Sequence, residues 1–287
     1  MERQDIIKIA EAYTESSKDN RIDKDIAISE AFAGMKIFDH PIFVFGAADD
    51  PLFQSLKDPN VVGEHILLPM DWLPEAKTVI TFFLPFTEPV RRSNRKDLTW
   101  PSAGWLHGRI EGQAFIGKLC RYLQTELQNA GYKTLIPSLD KRFWSRAEFN
   151  KAEPYAANQT VSQANFTSNW SERHAGFICG LGTFGLSKGI ITQKGMAGRL
   201  GSVITELDLA PDIKAYTDIY EYCSMCGACV KRCPVKAISI EEGKKHAICS
   251  PFLDKTGNKY KPRYGCGKCQ VSVPCESRIP SAPVPGT

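Results

Sequence analysis

A chain of 287 residues, 43% of them hydrophobic and carrying a formal charge of +4, is long enough to bury a sizeable core and too apolar to be disordered or fibrous. The charge is uneven: from Lys214 onward 12 Lys and Arg face 6 Asp and Glu, whereas residues 1–213 carry 24 against 26. No apolar run approaches the roughly 20 residues of a membrane span, and no basic, then apolar, then small-residue leader opens the chain, so a cytoplasmic protein with no membrane partner is expected.

Ile6, Ile7, Ile9, Ala10 and Tyr13 recur at helical spacing and predict a short amphipathic helix at the start. Pro41–Gly46 and Thr78–Pro85 are β-branched and aromatic runs that read as buried strands, with turn signals at Asp49-Asp50-Pro51 and Asp58-Pro59-Asn60 between them. Gly108 to Ala130 predicts a helix whose apolar face is Ile110, Ala114, Ile116, Leu119, Cys120, Leu123 and Leu127, stopped by Gly131. Tyr132 to Leu139 reads as a strand, Glu172 to Gly182 as a helix ending in a Gly-rich turn, and Gly189–Thr192 and Leu200–Thr205 as short strands. Strands and helices in this mixed order imply an α+β fold instead of a regular doubly wound sheet. Pro211 and the polar residues after it suggest a boundary, giving domains 1–213 and 214–287; the Pro-rich tail from Ile279 to Pro285 is expected to be disordered.

Ten cysteines in a chain without a leader are read as metal ligands before disulfides. Cys223-Ser-Met-Cys226-Gly-Ala-Cys229-Val-Lys-Arg-Cys233-Pro234 has the C-x2-C-x2-C-x3-C-P spacing of bacterial ferredoxins, in which three thiolates hold one 4Fe-4S cluster and the fourth serves a second. Structural zinc is the competing reading, and its usual spacing lacks three evenly placed cysteines before Cys-Pro. The second cluster needs further ligands, and Cys249, Cys266, Cys269 and Cys275 supply them. The crossed pattern assigns Cys223, Cys226, Cys229 and Cys275 to one cluster and Cys233, Cys249, Cys266 and Cys269 to the other, although Pro274 here precedes the last cysteine instead of following it. The local basic excess either offsets these anionic clusters or attracts an acidic redox partner or nucleic acid. Cys120 and Cys179 are read as core thiols.

Gly180-Leu-Gly182-Thr-Phe-Gly185 spells G-x-G-x-x-G but follows a predicted helix instead of opening one, so it lacks the context of a dinucleotide site. Glu172-Arg173, Cys179-Gly-Leu-Gly182, Gly185, the Arg199–Thr205 strand and the cysteine run nevertheless follow one another as in epoxyqueuosine reductases and reductive dehalogenases. The chain resembles that family from Glu172 to Cys275, about a third of its length. The resemblance implies a nitroreductase-like α+β domain that binds cobalamin, followed by a ferredoxin-like domain with two 4Fe-4S clusters that reduce the cobalt. It places His174, Gly180, Leu181, Gly182, Thr183, Gly185, Gly201, Ser202, Ile204 and Thr205 at the cobalamin. Glu172, Arg173 and Tyr155 become the catalytic candidates, with Arg146 as a further basic neighbour.

Two features depart from the family: where epoxyqueuosine reductases carry an Asp six residues before the Glu-Arg pair, this chain has Phe166 beside Asn165, neither a general acid. Nor does a helical-repeat extension follow Cys275. The leading expectation is a cobalamin-dependent iron–sulfur reductase of an unidentified small molecule in an anaerobic microbe, fed by a ferredoxin or flavodoxin, with tRNA as a further partner that these departures put in question. The alternatives are a non-catalytic electron carrier or activator, and a flavin in place of cobalamin.

Overall fold

The structure, a computed structural model, describes residues 1–146 and 166–281. In chain order its elements are α1 (Arg3–Ser16), β1 (Ile42–Ala47), α2 (Pro51–Ser55), α3 (Pro69–Trp72), β2 (Thr78–Pro85), α4 (Glu88–Arg95), α5 (Ala103–Asn129), β3 (Thr134–Leu135), β4 (Ser145–Arg146), β5 (Thr167–Ser168), α6 (Glu172–Cys179), β6 (Gly182–Phe184), β7 (Ile190–Thr192), β8 (Gly198–Thr205), α7 (Ala228–Arg232), β9 (Ile238–Ser239), β10 (Gly243–Lys244) and α8 (His246–Tyr260).

The centre is an antiparallel sheet of order β1-β2-β8-β3. Every residue of β2 is buried, Thr78 and Thr81 included, as suits a largely Val, Ile, Phe and Leu strand covered on both faces. On one face α5 and α1 pack Ile6, Ala10, Phe115, Ile116 and Leu119 against Phe82 and Val203. On the other, α6 sets Ala175, Ile178 and Cys179 against Val79 and Ile204. The mixed α/β layering and the antiparallel pairing agree with the expected α+β class.

The differences from expectation have local causes. Helix α5 starts earlier because the Ser102 hydroxyl accepts the Trp105 N–H at 3.2 Å, a cap the apolar pattern does not reveal. Ala114, expected on its buried face, is exposed, because that face runs through Gly112, Phe115 and Ile116. The strand expected over Tyr132–Leu139 pairs only at Thr134 and Leu135, since Pro137 ends it and opens a 3-10 turn. Helix α6 ends at Cys179, where Gly180 takes φ +101; Gly182 already belongs to β6 and pairs with Thr192. A Cβ at Gly182 would overlap the Ile191 carbonyl, which explains this glycine without a ligand. The tail beyond residue 281 lies outside the described residues.

The cysteine-bearing segment is stitched into this framework. Phe184 N–H donates to Ile219 O at 2.8 Å, Tyr222 N–H to Thr183 Oγ1 at 2.9 Å, and Met196 N–H to Cys275 O at 2.9 Å. Arg263 donates through Nε to both carboxylate oxygens of Glu111 on α5, at 2.9 and 3.1 Å, and Arg95 on α4 pairs with the buried Glu276. Val271 joins the main core. No helix among the described residues is long and apolar enough to cross a membrane.

Candidate functional site

Two left-handed glycines shape the cysteine loops. Gly227 (φ +69) follows Cys226 and opens α7, which carries Cys229; Gly267 (φ +67) follows Cys266 and opens the 3-10 turn that carries Cys269. A Cβ at Gly267 would also overlap the Trp105 indole. Gly267→Ala is therefore expected to destabilise the chain by about 3 kcal/mol, the sum of a left-handed penalty and overpacking, read as a shift of the denaturation midpoint with iron content followed in parallel.

Cys233, Cys249, Cys266 and Cys269 line one cavity of about 150 Å³, together with Phe86, Trp105, Arg109 and Arg199. Cys223, Cys226, Cys229 and Cys275 line a second, whose remaining wall includes Met196, Val273 and Pro274. Among the described residues no three His, Cys, Asp or Glu side chains close on a single point as ligands of one ion do. A zinc site needs every sulfur about 2.3 Å from one atom; thiols spread around a cavity suit a cluster. Burial first, and then neighbouring thiolates, push Cys229, Cys266 and Cys275 up to about 12. Thiols so arranged ionise together only when iron supplies the opposing charge. Nε and Nη2 of Arg232 are buried without a partner beside the same residues, as expected of donors facing an anionic cluster. Ala237 N–H donates to Cys233 Sγ at 3.2 Å, the kind of bond that tunes a cluster. The donor sets thus fit 4Fe-4S groups. Cys120 and Cys179, each 1% exposed, stand apart from both pockets in the core.

Lys268, between Cys266 and Cys269, is fully buried. Its Nζ donates to Asn94 O at 2.8 Å and Asn94 Oδ1 at 3.1 Å, while Asn94 Nδ2 donates to Cys266 O at 3.0 Å. Burial pulls the ammonium down to about 8, which leaves it charged at neutral pH.

A second feature adjoins the first pocket. Arg173 is exposed, yet the surrounding protein lowers its pKa, and Lys188, also exposed, is lowered by burial and then by Arg173 and Lys244. Arg173 Nη1 donates to Lys188 O at 2.7 Å, which brings the two bases together, and Lys244 joins them to the first pocket, whose lining it shares. His246 is pushed down to about 3 by burial and then by Lys244, Arg173 and Lys188, and its ring stacks on Phe166 at 5.2 Å. His174 falls to about 4 by burial and then Arg173, and its Nδ1 lies 2.7 Å from Ser171 Oγ. On the same helix, burial raises Glu172 to about 7, with Ser202 and Trp170 pulling the other way, and its Oε2 is buried without a partner.

Helix α6 carries Glu172, Arg173 and His174 in succession; Arg173 acts on His174, while Glu172 meets Ser202 and Trp170. The other expected cobalamin contacts are built into the protein. Gly182 and Thr183 are buried in β6, Leu181 and Gly185 pack internally, and Gly180 lies against Lys214. Gly201 faces Phe82 and Ile116, Ser202 accepts from Trp170 Nε1 at 3.0 Å, Ile204 is core, and Thr205 bonds Thr134 and Lys133. Arg173, Lys188, Lys244 and His246 form a separate group of bases. Tyr155 lies outside the described residues. Lys188, Lys244, His246 and Asn94 were not foreseen, since they come from separate segments with no shared motif; Lys268 carried a signal in its place between two cysteines.

Fold and pockets together define an iron–sulfur protein of mixed α/β architecture, and residues 216–239 match the 4Fe-4S binding domain family. Tetrachloroethene reductive dehalogenase of Desulfitobacterium hafniense is 42% identical over 67 residues, 23% of this chain and 12% of that one, and its counterpart in Dehalobacter restrictus matches equally. An epoxyqueuosine reductase structure aligns with a TM-score of 0.53 at 18% identity, over 96% of this chain and 65% of that one. Another, solved with a tRNA-Tyr stem loop, gives 0.51 at 18% over 94% and 66%. The catabolic reductive dehalogenase NpRdhA gives 0.51 at 13% over 83% and 30%. At these identities the structures establish a shared fold, and the chain spans less than two thirds of their length. The resemblance read from Glu172 to Cys275 is borne out, for a divergent chain.

Proposed function

We propose that the chain is a cobalamin-dependent iron–sulfur reductase, in which residues 214–287 hold two 4Fe-4S clusters and residues 1–213 hold the cobalamin. The observation that carries the reading is the grouping of eight thiols into two cavities of four, one of which shares Lys244 with a group of desolvated bases, Arg173, Lys188 and His246, that would wall a cleft. Bound cobalamin would supply a strongly reducing cobalt centre. Arg173, Lys188, Lys244 and His246 would grip polar groups of the cofactor or its substrate, and the cleft walls would limit water. Glu172, raised to about 7, holds a proton that it can release near neutral pH, which takes over the acid's task at the position where Phe166 offers none. The substrate is a small molecule; a tRNA substrate is the less favoured form of the reading because of Phe166.

Electrons would come from a low-potential carrier such as a ferredoxin or flavodoxin. The second reading, an electron carrier or activator without cobalamin, draws on the same Phe166, whose ring is stacked on His246 at the cleft. Anaerobically purified protein titrated with cobalamin decides between them. About eight irons per chain and a saturable corrinoid spectrum are expected; the same iron with no corrinoid uptake would leave the carrier reading.

A further inference from the structure

Lys268 has no task in the function proposed above, yet it is a fully buried charge set between two cysteines of one pocket. Its ammonium is completely enclosed and is held by two oxygens of one residue, Asn94 O and Asn94 Oδ1. Both acceptors are neutral, and the described ion pairs include none for Lys268. Asp97 acts on it at longer range, with its carboxylate already accepting from Thr99 N–H at 2.6 Å and Trp100 N–H at 2.7 Å. A buried ammonium without an adjacent carboxylate is costly unless some other anion compensates it. The residues on either side identify that anion, because Cys266 and Cys269 both line the first pocket. Arg232, its Nε and Nη2 buried and unpartnered, adds a second uncompensated cation that acts on Lys268. The second pocket differs: no charged side chain lines it, and it contains the exposed thiol Cys226 beside the exposed Met225.

We propose that Lys268, clamped by Asn94, raises the reduction potential of the cluster held by Cys233, Cys249, Cys266 and Cys269, and so draws electrons inward from the cluster at Cys226. The inference rests on the two-cluster reading and not on cobalamin. A fixed cation beside a cluster stabilises the form with one more electron, more strongly where water is excluded. An external low-potential one-electron donor is oxidised at the Cys226 side. That electron then reduces the inner cluster while the outer one returns to its oxidised state, with no proton required. Asn94 makes the charge stationary: its Nδ2 bonds Cys266 O, and its Oδ1 also accepts Ser102 N–H at 3.0 Å, so one asparagine fixes both the ammonium and a ligand loop. Lys268 is in these terms a positioning charge and takes no part in bond making.

The test is an anaerobic redox titration followed by electron paramagnetic resonance on the full chain. It is run in the otherwise wild-type protein and in a Cys223→Ala, Cys275→Ala background that retains the inner cluster alone. Lys268→Gln and Lys268→Met are expected to lower the inner potential by about 59 mV or more, a tenfold change in electron occupancy for one electron, and to leave the outer cluster unmoved. Lys268→Arg is expected to restore it. Asn94→Asp cannot serve as a readout, because it would also remove the Nδ2 donor that holds Cys266 O. Unchanged potentials in iron-loaded variants, or equal shifts of both clusters, would overturn the inference while leaving the two-cluster reading intact. Loss of the inner cluster's iron in every one of these variants would overturn it too, by making the lysine purely structural. A wild-type chain that takes up no iron removes the reading beneath it.

Discussion

A chain carrying Cys223→Ala and Cys275→Ala is expected to retain about four of about eight irons, whereas Cys223→Ala with Cys233→Ala is expected to lose nearly all of them. The first pair empties one cavity and spares the other; the second pair removes a ligand from each. If clusters were held by consecutive cysteines, the result would reverse, because Cys223 and Cys233 would then belong to one set. Iron analysis with the remaining paramagnetic signal reads the outcome directly. The expectation is robust to the unusual order of Pro274 and Cys275, since Cys275 reaches the first three thiols through the tertiary fold: Met196 N–H donates to Cys275 O at 2.9 Å, and its sulfur lies 3.3 Å from Met196 Sδ. Folding is expected to weaken as well as iron binding, because four desolvated thiols without iron leave an uncompensated polar cavity.

Glu172→Gln has the next largest expected effect, in two opposite directions. Burial raises the folded carboxyl from its ordinary 4.5 to about 7, so between these values the folded chain keeps a proton that the unfolded chain has released. Stability therefore declines as pH rises through that window and is lowest above it. Glutamine removes the buried charge: Glu172→Gln is expected to stabilise the fold at pH 8 by about 2 kcal/mol, after discounting for the side chain's partial solvent access, with the gain vanishing below the lower value. Denaturant midpoints at pH 4 and pH 8 measure it. Turnover is expected to fall in the same variant, by about 100-fold or more if Glu172 delivers the proton, and the wild-type rate is expected to decline as pH rises through 7. A gain over wild type no larger at pH 8 than at pH 4 would show that the folded carboxyl is not raised and would remove it as proton donor.

Part of this site was legible because its information is local. The spacing of Cys223, Cys226, Cys229 and Cys233 reflects a single loop around a single group, and Glu172, Arg173 and His174 are consecutive on one helix turn. The Gly-rich stretch is less legible: protein backbone crowds Gly182, side chains crowd Gly201, and Gly180 is set by its left-handed φ. Spacing shows that a backbone comes close to something and does not say to what.

The sequence by itself determined an α+β chain with a buried β2, the ligand run of a 4Fe-4S site and two core cysteines, because periodicity and short-range spacing carry each of these. The crossed spacing already joined Cys275 to Cys223, and both line one pocket; only the tertiary structure decided that Lys188, Lys244 and His246 gather near Arg173 and that Asn94 holds Lys268. These are juxtapositions between segments, set by how the sheet, α4, α5 and the cysteine loops bury their apolar faces, and the electrostatics of a site follow from who becomes a neighbour once that burial is complete.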